Sequence, residues 1–354
     1  MLDSLLCWLV KSLGTVLCRL PAGLCIALGA GCGRLACALQ PRRAQVGRSN
    51  LKAALGDRLK PGEADRLIKS VFAQLGAGIF EMLRLPVIDA AYINRYVEIV
   101  GSGVFEEAMR SQRPVMVLTG HLGSWELTSI IAALRGYPIV ALARAQDKLP
   151  KLYALLLFYR ESKGCRIVHK GGAMRQLIQA LRQRELVGIV GDQASRQGLF
   201  VNFFGRRALF ATGPFAIAHS ADALLFPVFI HRTRGAFHQM VIEPAIDVRA
   251  LPGDKEAQVR GGVERFAGAL ARQVERHPGQ WLWVHKRWKH TPDRRIVVLS
   301  DGKLGHVKQS MTVVQALKAH RPDAQDRLIE VRYRHQLGRL LLLLASWAQV
   351  PRGL

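Results

Sequence analysis

Hydrophobic and polar residues follow two different spacings along this chain of 354 residues. From Pro61 to Leu85 apolar residues recur every three or four positions, which predicts an amphipathic helix. After Pro86 short apolar runs of strand length alternate with segments of helical spacing. The predicted strands are Val115–Leu118, Pro138–Leu142, Arg166–Val168, Leu186–Val190, Leu224–Ile230 and Phe237–Ile242. The predicted helices are Ser124–Leu134, Leu149–Ser162, Met174–Arg184, Ala211–Ser220 and Gly261–His277.

Strands that alternate with helices predict an α/β fold with a mixed, largely parallel sheet flanked by helices. In such a fold, the loops that leave the carboxyl ends of the strands are where ligands usually bind. We therefore expect the functional side chains in those loops.

The N-terminal segment, residues 1–40, is apolar but interrupted by charges. Its longest uncharged stretch, Leu20–Gly33, is shorter than the about 20 apolar residues that a spanning helix needs. Basic residues follow at Arg42, Arg43 and Arg48, as they do on the cytoplasmic flank of membrane segments. The pattern predicts a membrane-associated helical segment that lies in the interface or dips through it. The alternatives are a pair of buried core helices, or a signal peptide without an obvious cleavage site.

The net charge narrows the classes of partner. The chain has 51 Lys and Arg against 26 Asp and Glu, a formal charge of +25 that attracts nucleic acid, an anionic membrane or an acidic protein. It has no Cys/His zinc spacing, no RNP-like aromatic strand and no basic heptad region, and its basic residues are spread over most of its length. These features argue against nucleic acid and favour the membrane surface.

A candidate catalytic pair, His121 and Glu126, follows the first strand of the predicted sheet. On one continuous helix, side chains five positions apart point about 140° away from each other and cannot cooperate. Here Gly120 and Gly123 permit a tight turn between the two residues. Ser124 is a candidate N-cap, which places Glu126 in the first helical turn. A strand, turn and helix in this order can fold the imidazole back onto the carboxylate.

A histidine held by a carboxylate is a suitable general base for a hydroxyl group. The chain has no G-x-S-x-G elbow and no activated cysteine beside this pair, so direct attack by an acceptor hydroxyl is expected rather than an acyl-enzyme. The second histidine of a zinc-binding helix is missing as well, so we predict neither a metal site nor a cofactor. Spacing alone leaves a capping or surface role open for both residues.

Six ordered blocks of sequence carry a resemblance to a known family. The segment Thr119–Glu126 resembles the H-x4-D/E box of the glycerolipid acyltransferase superfamily, in the Glu form of the lipid A biosynthesis (lauroyl/myristoyl) acyltransferases. The other blocks are Arg42–Leu51 for R-R…N-L, Gly191–Gln193 for G/P-D-Q, Phe203–Arg206 for F-F-G, Phe226–Arg232 for P-V-F…R, and Gln280–Lys289 for Q-W/Y-x-W-x-H-x-R-x-K. The resemblance covers about residues 1–290.

The resemblance implies both a reaction and a place. In that family an acyl chain passes from acyl carrier protein to a hydroxyl of a lipid A precursor, at the cytoplasmic face of the bacterial inner membrane. It implies that His121 is the general base and that Glu126 orients it. Its partners would be acyl carrier protein, which is acidic, an anionic lipid acceptor and the inner-membrane surface, without nucleic acid.

The same resemblance implies residues that contact the substrate. Arg160 and Asp192 would be polar site residues, and Gln193 belongs to the same block as Asp192. Arg206 and Arg232 would contact a phosphate or carboxylate with the guanidinium fork. The residues also permit plainer roles, because Arg160 fits a solvated helix position and Asp192 fits a turn after a glycine.

Several aromatic residues and histidines fit structural roles at least as well as functional ones. Phe203 and Phe204 fit a core or pocket wall. Three tryptophans interleaved with basic residues fit either an interfacial belt or the core: Trp281, Trp283 and Trp288. Three histidines are expected to be structural: His169, His219 and His231.

After Lys289 the sequence begins a new pattern: a strand at Arg294–Leu299, a helix at Gln309–His320 and a strand at Arg327–Tyr333. Its S-D-G-K-x-G-H segment resembles the start of bacterial proteins related to the mitochondrial-fission ELM family. About 60 residues are too few for two Rossmann halves, so we expect an incomplete Rossmann-like fragment without activity of its own. The predicted division is therefore residues 1–40, an acyltransferase domain at 41–292 and the fragment at 293–354. The apolar segment Leu340–Trp347 is expected to pack on the main domain or the membrane.

Two other functions remain open at this point. The same scaffold can acylate a different phospholipid, glycolipid or amine acceptor, because the motif fixes the chemistry better than the acceptor. A catalytically idle membrane-binding protein would also retain this fold.

Overall fold

Helices and strands follow the hydrophobic spacing over most of the chain. The computed structural model describes residues 2–143, 148–169, 172–193, 198–292, 295–320 and 324–331, without the side chains of residues 57 and 295. The helices in these ranges are α1 (Leu2–Arg19), α2 (Ala22–Leu39), α3 (Pro41–Leu55), α4 (Glu63–Leu83), α5 (Ala90–Tyr96), α6 (Ser102–Arg110), α7 (Leu127–Leu134), α8 (Pro150–Glu161), α9 (Ala173–Arg182), α10 (Gly213–Ala221), α11 (Lys255–Arg276) and α12 (Leu304–His320). The strands are β1 (Val97–Val100), β2 (Val115–Thr119), β3 (Ile139–Ala143), β4 (Cys165–His169), β5 (Leu186–Val190), β6 (Leu199–Phe203), β7 (Arg206–Phe210), β8 (Leu224–Arg234), β9 (Phe237–Ile242), β10 (Ile246–Asp247), β11 (Arg295–Ser300) and β12 (Gln325–Glu330).

The main sheet is mixed and largely parallel, which confirms the predicted α/β class. Its strands lie in the order β1-β9-β8-β2-β5-β3-β4, and β10 pairs with β8. Five of its pairings are parallel, whereas β8 is antiparallel to both β9 and β10. Because β2 is central, the carboxyl ends of β2, β5 and β8 meet at one edge of the sheet.

Both faces of β2 are buried, as expected for a parallel strand between two layers of helices. Met116 and Leu118 belong to a core cluster with residues of α9, α10 and α11. Val115 and Val117 belong to a second cluster with residues of α5, α6 and α7. The continuous apolar run of this strand therefore supplies both cores at once.

Two local elements differ from the sequence prediction. The hairpin β6–β7 forms where we expected a loop, with Phe203 and Phe210 directed into the core. Helix α7 begins at Leu127 and its N-cap position is Glu126, so the prediction that Ser124 caps it is wrong. The Ser124 hydroxyl is engaged elsewhere, because it donates to the buried Glu81 carboxylate at 2.8 Å.

The N-terminal helices pack on the rest of their unit. Helix α2 crosses α4 at three glycines, and a Cβ added to Gly33 would lie 2.0 Å from the Phe72 carbonyl oxygen. Of the described helices, α2 alone is long and apolar enough to cross a membrane, and a third of that stretch is buried.

The chain divides into two compact units, Met1–His290 and Thr291–Leu354. In the second unit, the parallel strands β11 and β12 are joined by α12, the strand–helix–strand order expected from the sequence. The apolar segment Leu340–Trp347 lies outside the described residues. The three-part division into residues 1–40, 41–292 and 293–354 stays a prediction.

Candidate active site

His121 lies in the turn after β2, at the carboxyl edge of the sheet. Its ring Nδ1 is 2.5 Å from Asp192 Oδ1, and its backbone N–H donates to Asp192 Oδ2 at 2.8 Å. Asp192 follows β5, the parallel neighbour of β2, so the topology brings the two residues together. The Asp192 side chain is fully buried, whereas the His121 side chain keeps 15% of its exposure and stays within reach of a substrate.

The electrostatics of this pair favour a charged histidine. Burial lowers the pKa of His121, but the charge of Asp192, the hydrogen bond to Asp192 and the charge of Glu126 together raise it above 6.5. Burial raises the pKa of Asp192, but the neighbouring His121 outweighs it, and the net pKa lies well below the usual range. Asp192 therefore stays ionised and stabilises an imidazolium at His121.

The hydrogen bonds also fix the tautomer of the neutral ring. An ionised carboxylate only accepts, so Nδ1 must carry the proton toward Asp192 and Nε2 keeps its lone pair. The Gln193 amide nitrogen is 3.2 Å from Nε2, in the place that an acceptor hydroxyl would have to take. The Trp125 ring packs beside the imidazole, with 5.0 Å between the ring centroids.

Glu126 has a different partner from the one that we predicted. Its carboxylate accepts three hydrogen bonds from Arg160, at 2.8, 2.9 and 3.1 Å, and these hold it in the guanidinium fork. The carboxylate that orients the His121 ring is therefore Asp192, which corrects the expected geometry. Arg160 is not a solvated helix residue and Asp192 is not simply a turn former, because both side chains contact the candidate site.

A second segment of the chain holds the His121 turn in place. Leu122 and Trp281 form an antiparallel bridge, Leu282 N–H donates to the His121 carbonyl, and Gly123 N–H donates to the Gln280 carbonyl. The Trp281 ring N–H also donates to Asp192 Oδ2 at 2.8 Å. The same segment therefore fixes both the turn and the carboxylate that the turn faces.

A buried polar network lies behind the turn. The Arg232 guanidinium donates to Glu81 at 2.7 Å and to Ser124 at 2.8 Å, and His238 Nε2 is 3.0 Å from the Ser124 hydroxyl. Burial raises the pKa of Glu81, but the charges of His238 and Arg232 and their hydrogen bonds hold it far below its usual range. The side chain of Arg232 is 4% exposed and its nitrogens are occupied, so the prediction that it contacts a substrate phosphate is wrong.

Comparison with known proteins decides the family. The sequence model of the family described as bacterial lipid A biosynthesis acyltransferase matches residues 1–290. The chain belongs to this family.

Relatives of this acyltransferase act on more than one kind of lipid, by their names. The lipid A biosynthesis lauroyltransferase of Escherichia coli is 24% identical over 297 residues, which are 81% of this chain and 92% of the relative. The E. coli lipid A biosynthesis palmitoleoyltransferase is 23% identical, over 77% of this chain and 88% of its own length. A phosphatidylinositol mannoside acyltransferase of Mycolicibacterium smegmatis is 25% identical, over 68% of this chain and 78% of its own length.

The other residues singled out from the sequence make no described hydrogen bond to His121 or Asp192, with the exception of Trp281. The Arg206 guanidinium lies 5.7 Å from the centre of the Trp288 ring and is half-buried. All three tryptophans of the Gln280–Lys289 block are buried, which places them in the core and not in an interfacial belt: Trp281, Trp283 and Trp288. His231 stacks on His277 at 3.6 Å. Within the described ranges, no group of three or more His, Cys, Asp or Glu residues is arranged to hold a metal ion.

Sequence reasoning missed the residues that support the turn. Glu81 lies among apolar residues at the end of α4, and an isolated charge on a buried helix face was the available signal. Gln280 and Trp281 were noticed as part of a block, but their hydrogen bonds to the turn and to Asp192 depend on contacts distant in sequence. No sequence signal distinguished Ser124 from a helix cap.

Proposed function

We propose that this protein transfers a fatty acyl chain from acyl carrier protein to a hydroxyl of a lipid A precursor, with His121 as the general base. The observation that carries the proposal is the His121–Asp192 pair, which keeps the lone pair on Nε2, at the partly exposed side of the ring where Gln193 is its described partner. Membership of the lipid A acyltransferase family supplies the class of reaction.

The geometry supports a direct transfer. The acceptor hydroxyl displaces Gln193 and donates its proton to His121 Nε2. At the same time the hydroxyl oxygen forms a bond to the thioester carbonyl carbon. The resulting imidazolium is stabilised by the ionised Asp192, as in a serine-hydrolase triad. When the tetrahedral intermediate collapses, the carbon–sulfur bond breaks and the leaving thiolate takes the proton from Nε2. The products are the ester and the free thiol, and His121 is neutral again.

Glu126 and Arg160 have a supporting role in this mechanism. Their ion pair fixes the Arg160 guanidinium beside the Glu126 carboxylate, whose charge acts on His121, and Nη1 has no hydrogen-bond partner among the described residues. We assign that free N–H group to a polar group of the substrate, and the charge of Glu126 to stabilising the imidazolium. The Arg206 guanidinium contacts the Trp288 ring and has no hydrogen-bond partner among the described residues, so we keep Arg206 as a candidate for a substrate phosphate.

The charge of the whole chain suits both proposed substrates. A net charge of +25 attracts an acidic carrier protein and a phosphorylated lipid. The proposed location is the cytoplasmic face of the bacterial inner membrane, where both substrates would meet the apolar N-terminal helices.

A second acceptor has specific support. Phosphatidylinositol mannoside acyltransferases are among the relatives, at 25% and 26% identity. A mannosylated phospholipid offers the same combination of sugar hydroxyl and phosphate, so the same base and arginines would serve it.

The test is a transfer assay with a panel of donors and acceptors. Purified protein would be incubated with labelled acyl chains on acyl carrier protein or on coenzyme A, together with a lipid A precursor or a phosphatidylinositol mannoside. We expect the fastest transfer from acyl carrier protein to the lipid A precursor. Faster acylation of the mannoside would assign the second acceptor, and no transfer to any acceptor would contradict the function.

A further inference from the structure

The first two helices each expose a row of apolar side chains. The members, which we name the N-terminal apolar surface, are each at least 41% exposed: Leu2, Leu5, Leu9, Leu13 and Val16 on α1, and Leu24, Leu28, Leu35 and Leu39 on α2. Their spacing of three, four or seven residues keeps each set along one side of its helix. So large an apolar surface marks an interaction site.

The opposite face of α2 is held by α4 along its length. A Cβ at Gly29 would lie 2.7 Å from the Gly76 carbonyl oxygen, and one at Gly76 would lie 2.2 Å from the Gly29 carbonyl oxygen. Backbones this close cannot separate without loss of the contact. Helix α1 is attached as well, because Asp3 accepts the backbone N–H groups of Lys151 and Leu152 at the start of α8.

These attachments are incompatible with a membrane-spanning α2. Gly33 contacts Phe72 of α4, and exposed Lys69 lies one turn before Phe72. If α2 crossed the bilayer, α4 would enter it alongside, and the Lys69 ammonium would enter hydrocarbon without a described ion-pair partner. The Glu81–Arg232 network at the other end of α4 would be drawn toward the bilayer together with that helix.

The border of the surface has the chemistry of a lipid headgroup layer. Arg19 and Arg34 are exposed to the side of the apolar residues on the two helices, and Trp8 is 63% exposed beside the α1 stripe, whereas Lys11 is exposed on the opposite side of α1. Asp3 is the sole acidic residue among residues 2–55, and α8 already occupies its carboxylate. Basic and tryptophan side chains around an apolar stripe match an anionic bilayer better than a second copy of this basic chain.

We propose that the N-terminal apolar surface lies in the plane of one leaflet of an anionic bilayer, so that α1 and α2 are embedded side-on and neither crosses it. This orientation buries the leucines, keeps the basic border at the headgroups and leaves the α2–α4 contact intact. Because α1 holds the start of α8, the helix that carries Arg160, the same contact fixes the height of the candidate site above the membrane. The inference shares its membrane location with the proposed function, but vesicle binding requires no turnover.

The test measures the depth of α2 in vesicles. A nitroxide-bearing amino acid would replace Leu24, Leu28, Leu35 or Leu39 in turn, and its depth would be measured by electron paramagnetic resonance in phosphatidylglycerol–phosphatidylethanolamine vesicles. Side-on embedding predicts the same depth at all four positions. A spanning helix places Leu28 and Leu35 about 6 Å deeper than the two ends, since four residues rise about 6 Å. A label at Val104, which is 62% exposed on α6, serves as the control and should stay in water.

Three results would overturn the inference. The first is the depth profile of a spanning helix. The second is a set of labels that remain water-accessible in the presence of vesicles. The third is spin–spin broadening that grows with protein concentration without lipid, which would show that a second copy covers the surface. Acyl transfer to a detergent-solubilised acceptor, measured on the same preparations, reports separately on the proposed function.

Discussion

The protonation of His121 is set by two opposing effects. Burial alone would make the imidazole a weaker base, but the ionised Asp192 and the charge of Glu126 make it a stronger one, and the net pKa lies above 6.5. Only the neutral ring can accept a proton from a hydroxyl. Activity must therefore rise with pH as His121 loses its proton.

The dependence of kcat/KM on pH tests this balance. For the wild type, the acidic limb of the profile should be centred above pH 6.5. In Asp192→Asn the larger of the two charges that raise the pKa is gone, while burial and the smaller effect of Glu126 remain, so the limb should move to lower pH than in the wild type. The maximal rate should also fall, by about 10²–10⁴-fold, as when a triad carboxylate is replaced. A limb at the same pH in both proteins would contradict the assignment of Asp192.

Trp281 should lower the pKa of His121 through its hydrogen bond to Asp192. Trp281→Phe removes the N–H that donates to Asp192 Oδ2, so the carboxylate keeps more of its charge for His121 and should raise the histidine pKa further. We expect the acidic limb to move to higher pH and kcat to fall about tenfold, since the carboxylate is held less firmly.

The matched control is Trp283→Phe. Trp283 is equally buried, and its ring N–H donates to the Pro278 carbonyl instead of to the site. This variant should lose stability without a shift of the limb. Equal shifts in both variants would show that Trp281 acts only through packing.

At the residue scale, the sequence predicted the position of His121 better than it predicted the carboxylate beside the ring. His121 was found because it follows a strand in a glycine-containing turn. Asp192 was named as a site residue, but its place beside His121 depends on β5 pairing with β2, across 71 positions of sequence. Arg232 was assigned to substrate because a sequence cannot show that Glu81, on another element, faces it in the core.

Among the elements, the crossing of α2 and α4 leaves no room for a side chain at Gly33. A methyl group at Gly33 would clash with the Phe72 backbone, which has no flexible end that can move aside. Gly33→Ala should therefore separate the helices and reduce the free energy of unfolding by about 1–3 kcal/mol. Denaturant unfolding followed by circular dichroism would measure this change.

Gly31→Ala, on the same helix, provides the comparison. Nothing lies within 4 Å of a Cβ there, so the better helix propensity of alanine should stabilise the protein by up to about 1 kcal/mol. If the two variants changed stability alike, the close crossing would not be what holds α2.

Prediction of the elements succeeded where one spacing dominated. The apolar run of β2 and the helical spacing of α4 gave boundaries within two residues of those observed. The hairpin β6–β7 was missed because its charged residues and Gly205 resemble a loop, and its strands are stabilised by Phe203 and Phe210 packing in the core. The sequence pattern of one segment does not show which other residues that segment packs against.

On the scale of the whole molecule, the excess of positive charge should speed the association of the protein with its acidic substrates. Attraction between a chain of charge +25 and an acidic carrier protein is screened by salt. Raising the salt concentration from 50 to 500 mM should increase KM for acyl carrier protein more than tenfold and leave kcat nearly unchanged. An acyl-pantetheine donor, which carries no charge, provides the control for effects on the protein itself. A KM that is independent of salt would contradict electrostatic steering.

The central claim is that His121 accepts the proton of the acceptor hydroxyl. The most direct test is the rate of acyl transfer from acyl carrier protein to a lipid A precursor by wild type and by His121→Ala, with circular dichroism to verify that the variant is folded. We predict that the variant is at least about 10³-fold slower, because no other described side chain offers a base at that position. A folded His121→Ala protein that transfers the chain within about twofold of the wild-type rate would contradict this mechanism.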